Sequence, residues 1–171
     1  MNLQADDFEL FGLTRQFAQD RSAIDARWKA LQREAHPDKF AAQGAAAQRI
    51  AMQWSVRINE AYERLKDPLR RAAYLCELAG APINAHSNTA MPAQFLMQQM
   101  EWREALDAAD TLAELESLSD EVQAAKKQLL QQSATLLDEA RDFAGAVAPV
   151  RALMFIEKFA MDLNQRIDRL E

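Results

Sequence analysis

A chain of 171 residues, 49% hydrophobic and 27% charged, can bury one or two cores, and its abundant Ala, Leu, Gln, Glu and Arg against few glycines, prolines and β-branched residues point to an all-helical protein. One cysteine leaves no disulfide framework and no thiolate-built zinc or iron–sulfur site, while the lack of an 18-residue apolar run and a polar, acidic start argue against a membrane span or signal and for a cytoplasmic protein. The net charge of −6 is uneven, +1 over residues 1–79 and −7 over residues 80–171, which favours two functional units and disfavours nucleic acid as the main partner.

Asp6 or Asp7 can cap a short first helix carrying Phe8, Leu10, Phe11 and Leu13, with Gly12 weakening its end. Ser22 suits the N-cap of a second helix, where Ile24, Trp28, Leu31 and Ala35 recur at spacings of four, three and four. Lys29 and Arg33 fall on the far side of that stripe, with Arg27 on its flank, a pattern an ordinary solvated face would also give. Pro37 has no amide donor and biases His36 away from helical geometry, so the helix must end near Ala35 or His36.

After a loose Ala/Gln/Gly stretch, a third helix is expected from about Ala45 to Lys66, with Ile50, Trp54, Ile58, Ala61, Tyr62 and Leu65 as its stripe. Asp67-Pro68 stops it and opens a short fourth helix, Leu69 to Leu78, ending at Gly80. Cys76 lies on the apolar side of that helix, as a buried small residue would. The second and third helices read as an antiparallel hairpin with the first and fourth packed across it.

Residues 80–92 lack periodicity, hold two prolines and read as a linker. His86 lies there without Cys, Asp or Glu nearby, so no metal site is expected. Three helices follow, about 93–112, 115–143 and 147–170, with Gly145 and Pro149 marking the last break; a three-helix bundle is the economical packing. The second helix carries Leu115, Leu118, Val122, Ala125, Leu129, Leu136 and Ala140, and the third Leu153, Ile156, Ala160, Leu163, Ile167 and Leu170.

The first helix of this bundle has more apolar surface than docking requires. Phe95, Trp102 and Leu106 share one face. Leu96, Met97 and Met100 sit about 100° or more away, interleaved with Glu101, Glu104 and Asp107. Residues 93–121 hold eight acids and one base, Arg103. Phe155 of the third helix is displaced by a similar angle from the line through Leu153, Ile156 and Ala160. Crowding in the bundle would bury these residues; left exposed, they form a Met-rich patch with an acidic rim, which is how a protein-docking site looks.

His36-Pro37-Asp38-Lys39-Phe40 places an imidazole, a carboxylate and an ammonium within four residues of one turn. With Asp7-Phe8, Leu10-Phe11-Gly12-Leu13, the run Ile58-Asn59-Glu60-Ala61-Tyr62-Glu63-Arg64-Leu65-Lys66-Asp67-Pro68 and Arg71-Ala72-Ala73-Tyr74-Leu75, the first 79 residues resemble a J domain. The helix from Phe95 to Leu106 resembles that of the HscB family, J-domain co-chaperones of iron–sulfur cluster biogenesis, and the likeness then spans nearly the whole chain. The glycine/phenylalanine-rich stretch and zinc module of general-purpose J proteins are absent.

The resemblance implies a protein with no active site and no cofactor of its own. Residues 1–79 would bind a DnaK-class chaperone ATPase of the HscA type and stimulate it through His36, Pro37 and Asp38, with Lys29, Arg33 and Lys39 supplying attraction. Residues 93–171 would bind an IscU-type iron–sulfur scaffold through Leu96, Met97, Met100, Glu101, Glu104 and Phe155. Ala35 stands where many J domains have Tyr, Lys29-Ala30 where many have a Lys-Arg pair, and Ala108 where some relatives continue the acidic row. Other clients are an alternative within the same class. An enzyme using His36 with Asp38 would need a third ligand or orienting group that the sequence does not supply.

Overall fold

The structure is a computed structural model that describes residues 2–83 and 91–171. Residues 84–90 of the expected linker, His86 among them, lie outside the described residues. Every regular element described is helical: α1 (Asp7–Phe11), α2 (Arg21–Ala35), a 3-10 helix (Pro37–Gln43), α3 (Ala45–Lys66), α4 (Pro68–Leu78), α5 (Ala93–Ala108), α6 (Leu112–Ala134), a π-helical turn (Thr135–Glu139) and α7 (Phe143–Leu170). The chain divides into two compact units, Met1–Leu75 and Cys76–Glu171, with the division inside α4.

Asp6 caps α1 by accepting from the Glu9 backbone N–H at 2.9 Å, which leaves Asp7 for another task. Asp7 is fully buried and meets Arg57 at 2.7 Å and Arg64 at 2.6 Å, while its own N–H donates to the Tyr74 hydroxyl at 3.0 Å. Two guanidiniums from α3 thus satisfy a carboxylate from α1, which a buried charge requires. Gly12 closes the helix in left-handed geometry at φ 66°, a conformation that costs other residues strain. Asp20 rather than Ser22 caps α2, since its carboxylate accepts from the Ser22 N–H at 3.0 Å.

The hairpin of α2 and α3 buries Ile24, Leu31, Ala35, Ala51, Ile58, Ala61 and Leu65. The expected stripe of α3 fails at its first member, because Ile50 is 55% exposed and Ala51 takes the buried position. Steps of four drift by about 40° each at 100° per residue, so Ile50 stands about 80° from Ile58 whereas Ala51 stands about 20° from it. The stretch after the turn, expected to be loose, is the 3-10 helix. Asp67 ends α3 and accepts from the Leu69 N–H at 3.1 Å, and Gly80, at φ 80°, follows α4.

In the second unit α5, α6 and α7 pack around Trp102, Leu106, Leu115, Leu118, Val122, Ile156, Phe159 and Leu163. α5 ends at Ala108, earlier than the periodicity suggested, because Thr111 caps α6 through its hydroxyl, which accepts from the Glu114 N–H at 3.2 Å. The π-helical turn inserts an extra residue into the helical phase, so Leu137 rather than Leu136 is buried and Ala140 is exposed. The last break falls at Arg141, φ 54°, and Asp142, which caps α7 by accepting from the Gly145 N–H at 2.9 Å. Gly145 and Pro149, expected to mark that break, lie inside α7. Phe159 takes the core position assigned to Ala160, and Leu170 is 46% exposed.

Candidate functional site

The turn that ends α2 is built by its own sequence. His36 is extended, φ −62° and ψ 129°, as a residue before proline must be, and Pro37 opens the 3-10 helix. The Asp38 backbone N–H donates to His36 Nδ1 at 3.2 Å, and the Lys39 N–H donates to the His36 carbonyl at 3.0 Å. The side chain of Asp38 is 91% exposed and that of His36 57%. A full carboxylate charge therefore stands in solvent on a locally braced turn.

A polar ladder along one seam of the hairpin sets where that turn stands. Trp28 stacks on Tyr62 at 4.5 Å between ring centroids and donates to Asn59 Oδ1 at 2.9 Å. Gln32 donates to the same oxygen at 2.6 Å, and the Tyr62 hydroxyl donates to Asp25 at 2.8 Å. That hydroxyl bond first, and the Arg21 bond second, hold the Asp25 carboxyl below its ordinary value. Lys29, Arg33 and Lys39 are exposed, and among the described residues none of them forms an ion pair. Beside the turn, Phe40, Gln43, Ala47, Ile50, Ala51, Trp54, Glu34 and Ala35 line a groove of about 320 Å³.

The second candidate surface lies on α5 and α7. Trp102 and Leu106 are buried in the bundle, while Leu96, Met97 and Met100 are 41%, 62% and 64% exposed. Glu101 and Glu104 are exposed beside them. Phe155 is half-buried against the core, edge-on to Phe95 at 5.9 Å and stacked on Phe159 at 6.0 Å. Met100, Glu104 and Phe155 line one groove of about 350 Å³ together with Gln99 and Arg103. Leu96, Met97 and Glu101 share the exposed side of α5 without lining that groove.

Gln99 and Arg103 were not singled out for this surface by their sequence. The available signal was positional: they follow Leu96 and Met100 by three residues, on the same side of the helix. Cys76 takes no part in either surface. It is buried, its thiol donates to the Phe143 carbonyl at 3.7 Å, and burial pushes its pKa up to about 11. Among the described residues no helix is long and apolar enough to cross a membrane, and none form a cluster of three or more acids, histidines or cysteines able to hold a metal ion.

Comparison with known proteins adds an independent line. Residues 91–164 match the family model described as the HSCB C-terminal oligomerisation domain. The co-chaperone protein HscB homolog of Burkholderia multivorans is 49% identical, covering 100% of this chain and 99% of that protein. The homolog from Bordetella petrii is 50% identical over 94% of this chain and 96% of its own. Among solved structures, chaperone HscB from Vibrio cholerae superposes with a TM-score of 0.90 at 38% identity, over 97% of this chain and 100% of that one. Human co-chaperone protein HscB gives a TM-score of 0.91 at 27% identity, over 96% of this chain and 83% of that one.

Proposed function

The chain belongs to the HscB family of co-chaperones of iron–sulfur cluster biogenesis, and from that footing we propose that it joins two proteins through two separate surfaces. The His36-Pro37-Asp38 turn engages a DnaK-class chaperone ATPase of the HscA type and stimulates its hydrolysis of ATP. The exposed side of α5, with Phe155 of α7, engages an iron–sulfur scaffold of the IscU type. Residues 1–79 act as the J domain, 93–171 as the scaffold-binding bundle and 80–92 as the linker between them.

On the chaperone side, Asp38 offers a full negative charge to a cationic side chain of the partner, and charge-assisted hydrogen bonds are the strong ones. His36 braces the backbone from which that charge projects. The exposed ammonium and guanidinium groups of Lys29, Arg33 and Lys39 steer an acidic surface towards the turn and add little once it is seated. On the scaffold side, the apolar side chains supply the contact energy. Glu101 and Glu104 select a partner whose apolar patch has a basic edge. Holding both proteins at once raises the scaffold's effective concentration at the chaperone. The relatives are named co-chaperones, a non-enzymatic role, and in this reading the chemistry is the partner's.

The observation that carries the reading is the meeting of Phe155 from α7 with Met100 and Glu104 from α5 around one open groove. It is tested by measuring ATPase turnover of an HscA-type chaperone with this protein, with an IscU-type scaffold, and with both. Stimulation by this protein alone and a more than additive rate with both are expected. An additive rate would assign the surface to a different client.

A further inference from the structure

The stretch from 93 to 121 is acidic, and the position of its single base is unusual. Arg103 points across the bundle rather than along its own helix. Its guanidinium lies 5.2 Å from the centroid of the Phe159 ring, and Nη1 donates to Asp162 Oδ2 at 3.3 Å. Phe159 and Asp162 are one turn apart on α7, so Arg103 grips that helix at two points.

Phe159 is also the middle of an aromatic row. It stacks on Trp102 of α5 at 5.9 Å and on Phe155 at 6.0 Å, and Phe155 meets Phe95 of α5 edge-on at 5.9 Å. The row runs from α5 to α7 and back, and Arg103 covers its centre. The same side chain forms part of the groove wall beside Met100, Glu104 and Phe155.

We propose that Arg103 is a positioning residue for the docking groove: by gripping Phe159 and Asp162 it sets the spacing of α5 and α7 at which Phe155 stays half-buried and the groove stays open. This rests on the reading of that groove as the scaffold-binding surface. Both members of the ion pair are nearly half exposed, 46% and 42%, so the pair contributes little to stability on its own. Its effect is on geometry. A planar guanidinium can lie on a ring and hold a carboxylate in fixed orientation, which a lysine ammonium cannot do equally well.

The test titrates an IscU-type scaffold into the chaperone ATPase assay with four proteins: wild type, Arg103→Ala, Arg103→Lys and Asp162→Asn. For Arg103→Ala the scaffold concentration giving half-maximal synergy should rise about tenfold. The maximal rate and the scaffold-free stimulation should hold, and the melting temperature should fall by no more than a few degrees, because the Phe159 ring loses part of its cover. Arg103→Lys should recover less than half of the loss, and Asp162→Asn should shift the same way by less. If Arg103 instead touches the scaffold directly, releasing it from Asp162 leaves affinity unchanged or improves it, and the positioning role is overturned. A lowered melting temperature in all three variants without a change in half-maximal concentration also overturns it. The combined change of Leu96, Met97 and Met100 to Ala serves as the control. If it leaves scaffold affinity intact, the docking reading itself fails. If it weakens affinity and Arg103→Ala does not, only the role of Arg103 fails.

Discussion

The Asp38 backbone N–H points at His36 Nδ1, 3.2 Å away, so the imidazole is an acceptor on that side. A ring nitrogen that accepts carries no proton, which places the proton of the neutral imidazole on Nε2. Asp38 Oδ2 stands 3.7 Å from the same Nδ1, beyond hydrogen-bond reach, and its side chain is 91% exposed.

This separates the shape of the turn from its charge. His36→Asn retains a side-chain oxygen able to accept from an amide two residues on, as asparagine does in turns, so the Asp38 amide resonance should stay close to its wild-type position. Asp38→Asn keeps the shape and removes the charge. Chaperone stimulation should fall about tenfold or more in Asp38→Asn. Full stimulation by that variant would remove the carboxylate from the mechanism.

Scaffold affinity and stability should come apart at the second surface. Leu96, Met97 and Met100 are well exposed, so truncating all three to Ala should shift unfolding by no more than about 0.5 kcal/mol per site while weakening scaffold binding about tenfold or more. Phe155 packs on Phe95 and Phe159, so Phe155→Ala should weaken binding and also cost about 2 kcal/mol, below the range for a fully buried ring. Calorimetric titration and urea melts of the same samples distinguish the two patterns.

Acid should loosen the hairpin through Asp25. Its carboxyl is depressed below 3.8, first by the Tyr62 hydroxyl bond and then by the Arg21 bond. A folded value below the unfolded one contributes stability above the unfolded value, and that contribution disappears as pH falls through the depressed folded value. Asp6 adds to the same trend: burial alone would raise it, but the Glu9 amide and Arg15 together bring it down. The urea midpoint of wild type should therefore drop between pH 6 and pH 3 by more than that of Asp25→Asn. Equal drops would remove Asp25 from the account.

Cys76 should behave as a core residue. With its pKa raised to about 11, about a thousandth of it is thiolate at pH 8, and the thiolate is the reactive form. A colorimetric thiol reagent should react slowly with the native protein and rapidly once urea unfolds it. Fast labelling of native protein would contradict the burial.

Much of this was legible in the sequence where periodicity speaks directly. The face carrying Leu96, Met97 and Met100 follows from counting 100° per residue along α5, and the break at His36 from the missing proline donor. What periodicity could not give were the places where the helix changes phase or where a side chain chooses between two tasks. Leu136 and Leu137 are told apart only by the π-helical turn, whose extra residue leaves no mark in spacing. Asp6 and Asp7 are both acceptable caps, and which is buried depends on Arg57 and Arg64 some fifty residues later. The groove of Met100, Glu104 and Phe155 needs two helices facing each other, a relation that neither helix contains alone.

The same Asp7 bears on how the first unit comes together in time. The hydrogen bonds between α2 and α3 join residues 20 to 37 apart in sequence, but Asp7 and Arg64 are 57 apart. Closing the longer loop costs about 0.4 kcal/mol more chain entropy on logarithmic scaling, so α1 is expected to seat on the hairpin after it forms. A contact made after the rate-limiting step leaves the folding rate alone and slows the reverse reaction. Asp7→Asn should accordingly speed unfolding in stopped-flow denaturant jumps while refolding keeps its wild-type rate. On that expectation, the helix that comes first in the chain joins the hairpin after it and governs the unit's lifetime rather than its speed of assembly.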